Sequence, residues 1–122
     1  MLEISNATAV ITGGASGIGF SLAQYWIKNG GNVVIADVNK DALDNAREKL
    51  GDNATIVVCD VINENDCSIL AETAIGKYGQ INLVAPFAGI IMDSMMVSPD
   101  RETGKVARKM PLSQFQKVVD IN

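Results

Sequence analysis

A chain of 122 residues, 48% hydrophobic and 20% charged, has room for one soluble domain with one core. Its 10 Lys and Arg against 14 Asp and Glu give a formal net charge of -4, which argues against a phosphate-neutralising nucleic-acid surface or a polybasic membrane patch. With no histidine, a Ser-His-Asp triad, a Cys-His pair and the common zinc sites are excluded as they are usually built. The opening "MLEISNATAV" has no basic n-region and no long apolar stretch, and no later segment approaches the roughly 20 apolar residues of a membrane helix. The expectation is a cytoplasmic protein with small-molecule partners, and with neither nucleic acid nor membrane nor metal among them. Cys59 and Cys67 suit neither a disulfide framework nor a CxxC pair and read as two reduced thiols.

Along the chain, Val- and Ile-rich runs at Thr8 to Ile11, Asn32 to Ala36, Thr55 to Cys59 and Ile81 to Ala85 are strand-length and bounded by Gly, Asn or Asp. Between them the period becomes helical. Ile18, Leu22, Ala23, Trp26 and Ile27 share one face, Ala42, Leu43, Ala46 and Leu50 a second, and Leu70, Ala71, Ala74, Ile75 and Tyr78 a third. Asn39 and Asn63 are expected N-caps, and Gly30, Gly51 and Gly79 stop the helices. Strand alternating with helix predicts an α/β fold, a parallel sheet covered on both faces. The fourth strand reads as apolar on both sides, which suits a sheet interior, yet in the order 3-2-1-4 it would form an edge. "IIMDSMMVSPDRETGKVARKM", Ile90 to Met110, is expected as a long loop. Leu112, Phe115, Val118, Val119 and Asn122 then open a fourth helix, at whose start the domain, residues 1–122, is expected to be cut short.

The stretch "VITGGASGIG" places four glycines between the first strand and the first helix. The free N-H groups of a helix start attract phosphate, and glycines let it come close. Gly13 and Gly14 are expected to take the positive φ of a tight turn, Gly17 to leave room for a pyrophosphate, and Gly19 to let helix and sheet pack. Phe20 and Ser21 follow where a P-loop needs Lys and then Ser or Thr, so NTP hydrolysis is not expected. The GxGxxG spacing of the usual Rossmann fingerprint also fails, at Leu22. Asp37, about twenty residues on at the end of the second strand, is placed to accept hydrogen bonds from both hydroxyls of an adenosine ribose and to repel a 2'-phosphate. No Arg or Lys stands at Gly14, Ala15 or Val38, so NAD is favoured over NADP, with Lys40 the one nearby cation.

The arrangement Thr12-Gly13-x-x-x-Gly17-x-Gly19 resembles the cofactor fingerprint of the short-chain dehydrogenase/reductase family, and the likeness runs through "CDV" and "INLVAPFAGI" to the chain's last residue. The resemblance implies a Rossmann-type doubly wound sheet. It implies that Ser16 and Ile18 contact the cofactor phosphates and ribose, that Asp60 and Val61 flank the adenine, and that Ala88 and Gly89 lie beneath the ribose and nicotinamide. Val38 and Phe87 complete the expected cofactor-binding set. Where the family has two asparagines this chain has Pro86 and Phe87, which removes a side-chain amide and a backbone N-H that tie the strand end to its neighbours. The stretch after Gly89 is longer than is usual in the family. In relatives it borders the substrate cleft and the subunit contacts, which leaves "SPDRETGKVARK" either of those roles or that of a solvated insertion. A homo-oligomer is expected on the same grounds.

The family moves a hydride between nicotinamide and a carbonyl or alcohol, using a Ser, a Tyr with a Lys four residues on, and an Asn that holds a water. Asn122 matches the Asn. The other three are not in these 122 residues: Tyr25 is followed four residues later by Asn29 and Tyr78 by Asn82, and both tyrosines lie in helices assigned to packing. The chain therefore reads as the NAD-binding half of a short-chain oxidoreductase, inactive by itself, with a non-catalytic dinucleotide-binding or sensing module as the alternative. Met92, Met95, Met96 and Met110 are open to two readings, an apolar substrate pocket or packing beneath the loop.

Overall fold

A computed structural model describes residues 3–122. The chain divides into two compact units, one running to Ala88 and one from Gly89 to Asn122. In the first, strands and helices alternate: β1 (Thr8–Thr12), α1 (Gly17–Lys28), β2 (Asn32–Asp37), α2 (Lys40–Leu50), β3 (Ala54–Val58), α3 (Glu64–Tyr78) and β4 (Leu83–Pro86). All pairings are parallel and the strand order is β3-β2-β1-β4, as the alternating pattern predicts.

Strand parity decides which helix covers which face. Ala9 and Ile11 of β1, Val33 and Ile35 of β2 and Ala85 of β4 pack with Ala23 and Trp26 of α1 and Leu43, Ala46 and Leu50 of α2. The alternate residues Val10, Val34 and Ala36 turn to the other face and pack with Cys59, Leu70 and Ala74 of the α3 side. Residues two apart in a strand share a face, so near-continuous Val/Ile runs fill both layers at once. The Trp26 indole N-H donates to the buried Ala7 carbonyl at 3.0 Å and fixes α1 to the start of β1.

Helix starts and stops follow the predicted signals. The Asn39 side chain accepts from the Ala42 N-H, and that of Asn63 from the N-H groups of Asn65 and Asp66. Gly79 closes α3 in the left-handed conformation. The expected faces need two corrections. Ile18 is 74% exposed, because the first turn of α1 lies past the end of the strand it follows. On α3 the stripe that turns inward is Cys67, Leu70, Ala74 and Tyr78, while Ala71 and Ile75 face out. Tyr25, expected in packing, is likewise exposed, whereas Tyr78 anchors α3 through a 2.9 Å hydrogen bond with the Thr55 hydroxyl. Ile81 precedes β4 instead of opening it: the Asn82 side-chain oxygen accepts from the Thr8 N-H at 2.8 Å, and its N-H donates to the Thr8 carbonyl at 2.9 Å.

In the second unit the expected loop from Ile90 to Met110 contains an antiparallel hairpin, β5 (Val97–Pro99) with β6 (Val106–Lys109), and α4 (Leu112–Ile121) follows. The turn is made by Asp100, whose carboxylate oxygen accepts from the Glu102 N-H, the Thr103 N-H and the Thr103 hydroxyl at 3.0, 2.7 and 2.8 Å. Pro99 and Gly104 thus flank a tight turn instead of breaking structure. Of the four methionines, Met92 and Met110 line a cavity of about 310 Å³ with Phe115 and Val118, all within this unit. Met95 and Met96 are exposed.

Candidate functional site

In a parallel sheet every strand ends on the same edge, and here that edge collects the predicted residues of the first unit. Gly13, Ser16, Gly17, Ile18 and Gly19 follow β1, Asp37 closes β2 with Val38 after it, Asp60 and Val61 follow β3, and Phe87 and Ala88 follow β4. Crevices at the carboxyl ends of such strands are where α/β sheets take ligands.

The turn after β1 is built by close contact. Gly13 sits at φ +65°, and a Cβ there would lie 2.8 Å from the Ala88 nitrogen and the Phe87 carbonyl carbon. Any side chain at Gly19 would collide with the Gly13 carbonyl oxygen, so the first turn of α1 packs directly on the glycine turn. Gly14 corrects the expectation of a positive φ: only Gly13 and Gly17 of this turn have one. Gly14 is required by space, since a Cβ would meet Ile35 at 2.7 Å, and its N-H donates to the Ala36 carbonyl at 3.1 Å. At Gly17, φ is +54° and a Cβ would meet nothing within 4 Å, which leaves open space beside the helix start.

The start of α1 differs chemically from those of α2 and α3. Those two are capped by asparagine side chains and carry Asp41, or Glu64 and Asp66, in the first turn. At α1 the N-cap Ser16 is extended and makes no side-chain capping hydrogen bond, and the first turn has no acidic residue. The orphan N-H groups and the positive end of the helix dipole are thus presented to an anion.

Asp37, partly exposed, holds its own turn through a 3.3 Å hydrogen bond from the Asn39 N-H to Oδ1, while Oδ2 accepts none among the described residues. The nearby cation Lys40 is paired with Asp44 at 2.7 Å on the outside of α2. After β3, the Asp60 N-H donates to the Asp66 carboxylate at 3.0 Å and its own carboxylate accepts from the Ile62 N-H at 3.2 Å, which shapes the loop that carries Val61.

The strand-end tie expected to be lost at Pro86 and Phe87 is made by Thr12. Its carbonyl accepts from the Phe87 N-H at 3.1 Å and its hydroxyl from the Ala88 N-H at 3.4 Å. Sequence reasoning did not give Thr12 this part; a hydroxyl on the last residue of β1, directly before the glycines, was the available signal. Asp66 was missed in the same way, although it stands three residues after the Asn63 cap.

Gly89 and Asn122 fall in the second unit. The Asn122 amide clamps Ile90 at two points, Oδ1 accepting from the Ile90 N-H at 2.8 Å and Nδ2 donating to its carbonyl at 3.0 Å. A Cβ on Gly89 would lie 3.3 Å from Asn122 Oδ1.

This arrangement has known counterparts. The family model described as short chain dehydrogenase matches residues 7–122. The chain belongs to that family. An uncharacterized oxidoreductase of Mycobacterium bovis is 37% identical over 125 residues, all of this chain and 46% of that protein. Among solved structures, 3-ketoacyl-(acyl-carrier-protein) reductase from Brucella melitensis, complexed with NADH, superposes with a TM-score of 0.79 at 26% identity, over 97% of this chain and 45% of that one. A short-chain dehydrogenase/reductase from Burkholderia phymatum, in complex with NAD, gives 0.71 at 33% identity over 74% and 33%. The chain thus spans less than half the length of these short-chain dehydrogenase relatives. No helix among its described residues is long and apolar enough to cross a membrane.

Proposed function

We propose that this chain is the NAD-binding part of a short-chain oxidoreductase that moves a hydride between nicotinamide and a small carbonyl or alcohol. The observation that carries the reading is the uncapped, acid-free start of α1 on the same sheet edge as the Asp37 carboxylate. The pyrophosphate is held by the N-H groups of the first turn of α1, in the space left at Gly17, with Ser16 and Ile18 beside it. Asp37 accepts from the two ribose hydroxyls, and its charge disfavours a 2'-phosphate. Lys40, already paired with Asp44, offers that phosphate little compensation. Asp60 and Val61 border the adenine, and Ala88, its N-H held by the Thr12 hydroxyl, lies beneath the ribose, with Val38 and Phe87 beside the cofactor. The two relatives whose structures hold NADH or NAD support the same choice.

When bound, the nicotinamide supplies the hydride chemistry. Asn122 acts as a positioning residue in this reading, since both polar atoms of its side chain are engaged with the Ile90 backbone. No Tyr-x-x-x-Lys occurs in the 122 residues, so the chain alone lacks the group that gives and takes the substrate proton. Calorimetric titration tests the reading. The 122-residue chain is expected to bind NAD in the micromolar range and NADP more weakly, without turnover of any alcohol or ketone. A flat NAD titration, or tighter NADP binding, overturns it.

A further inference from the structure

The second unit carries charge and apolar surface that nucleotide binding leaves unused. Four of the chain's ten Lys and Arg, namely Arg101, Lys105, Arg108 and Lys109, fall within nine residues of it, in a chain of net charge -4. Arg108 and Lys109 end β6 and line a cavity of about 480 Å³ together with Asp93, Ser94, Pro111 and Gln114. Neither cation has a carboxylate within salt-bridge distance among the described residues. Asp93 and Ser94 also wall the apolar cavity of about 310 Å³ lined by Met92, Met110, Phe115 and Val118, so the two cavities adjoin across one short segment. The Gln114 side-chain amide donates to the Met92 carbonyl at 2.8 Å and ties that segment to α4. The strand ladder brings the two chemistries together a second time. It runs one residue past β6, with the Met110 N-H donating to the Met96 carbonyl at 3.0 Å. Residues two apart in a strand share a face, so Arg108 of the polar cavity and Met110 of the apolar one are neighbours on one side.

We propose that these adjoining cavities bind an amphiphilic carboxylate, an aliphatic chain ending in one ionised acid. The chain fills the apolar cavity, where the flexible thioethers of Met92 and Met110 adapt to its shape. The acid meets Arg108, whose planar guanidinium matches a carboxylate with two parallel hydrogen bonds, and Lys109 adds a second cation beside it. The charge of the lining selects the head group. Two cations against the Asp93 carboxylate leave one positive charge, which a monoanion neutralises, whereas a phosphate dianion brings excess negative charge beside Asp93. A carboxylic acid is ionised at neutral pH and is therefore that monoanion. An alcohol with the same chain forgoes the charge-assisted hydrogen bonds, and acetate forgoes the burial of the chain. The site lies wholly within the second unit and does not depend on a nucleotide bound to the first.

Hexanoate is the probe, titrated into the 122-residue chain while the backbone amide resonances are followed by NMR. Saturable binding in the low millimolar range or tighter is expected, with shifts at Ser94, Arg108, Met110 and Val118. Hexanol is expected to bind about three-fold more weakly and acetate about ten-fold more weakly, or worse. Arg108 is exposed, so the fold is expected to tolerate Arg108→Gln, which should weaken hexanoate about three- to five-fold and leave hexanol unchanged. Asp93→Asn removes the one like charge from the lining and should tighten hexanoate about two-fold, a gain that damage to the fold would not produce. Hexanol binding as tightly as hexanoate, or hexanoate affinity untouched by both substitutions, overturns recognition of the acid. Acetate binding as tightly as hexanoate reduces the site to a cluster of cations and overturns the role of the apolar cavity. Titrations that never saturate, or shifts confined to residues 13–37 of the first unit, overturn the site itself.

Discussion

Gly19 and Asp37 define the two ends of the nucleotide reading, and each fails in its own way when changed. A methyl group at Gly19 meets the Gly13 carbonyl, which belongs to backbone and cannot swing aside. Gly19→Ala is therefore expected to lower stability by about 1–3 kcal/mol, the usual range for overpacking. It should also displace the α1 start enough to weaken NAD binding. Denaturant unfolding with parallel NAD titration checks both, and wild-type values on both counts would show that the turn has room to spare. Asp37→Ala removes a carboxylate whose hydrogen bonds in this protein alone are confined to its own turn. The fold is expected to tolerate it, while NAD affinity falls about ten-fold and discrimination against NADP relaxes, as the loss of charge-assisted hydrogen bonds predicts. Unchanged affinity for both nucleotides would remove Asp37 from the site. These two residues were legible in the sequence because their requirements are local: a glycine at a strand-helix turn, an acid at a strand end. The contacts of Thr12 and Gly14 were not, because what they touch, Ala88 and Ile35, is brought near only by the parallel pairing of β1 with β4 and β2.

The hairpin of β5 and β6 shows at the scale of elements how a short structure can exist without hydrophobic periodicity. Every residue of β6 is exposed, so no alternation marks it as a strand. Its turn is held by one carboxylate, that of Asp100, which accepts three hydrogen bonds from Glu102 and Thr103. Backbone and hydroxyl donors from Thr103, then the Glu102 N-H, hold the Asp100 carboxyl below the ordinary value of 3.8. A carboxyl whose folded value is depressed contributes its stabilisation above its unfolded value and loses it as pH falls through the folded one. The hairpin is thus expected to loosen only under acid conditions, below the ordinary aspartate range. Amide exchange at Thr103 reports it, with protection lost as the pH falls through that window in the wild type and absent at every pH in Asp100→Ala. Protection that persists in the variant would mean that the strand pairing, not the turn, holds the hairpin. β1 and β2 were legible by contrast, since a strand buried on both faces is written in a continuous run of apolar residues.

At the scale of the molecule the four-stranded sheet presents an uneven pair of flanks. β3 and β4 are its outer strands, and β4 is bonded to β1 alone among the described residues. On the α3 face, Val10 and Val34 are buried, but Val84, in register beside Val10, is 60% exposed. Ala85, on the other face, is covered. β4 therefore combines unpaired backbone N-H and C=O groups with an uncovered valine, the combination that recruits another strand. Pro86 removes one donor from its far end and shortens the pairing segment without closing it. The expectation is that the 122-residue chain self-associates with rising concentration through this edge. Val84→Lys places a charge on the uncovered face without touching any residue of the proposed nucleotide site. Sedimentation velocity should then show the variant several-fold less associated than the wild type, with NAD affinity unchanged in both. A wild-type chain that stays monomeric up to its solubility limit would show that four residues ending in proline are too short a template for edge pairing.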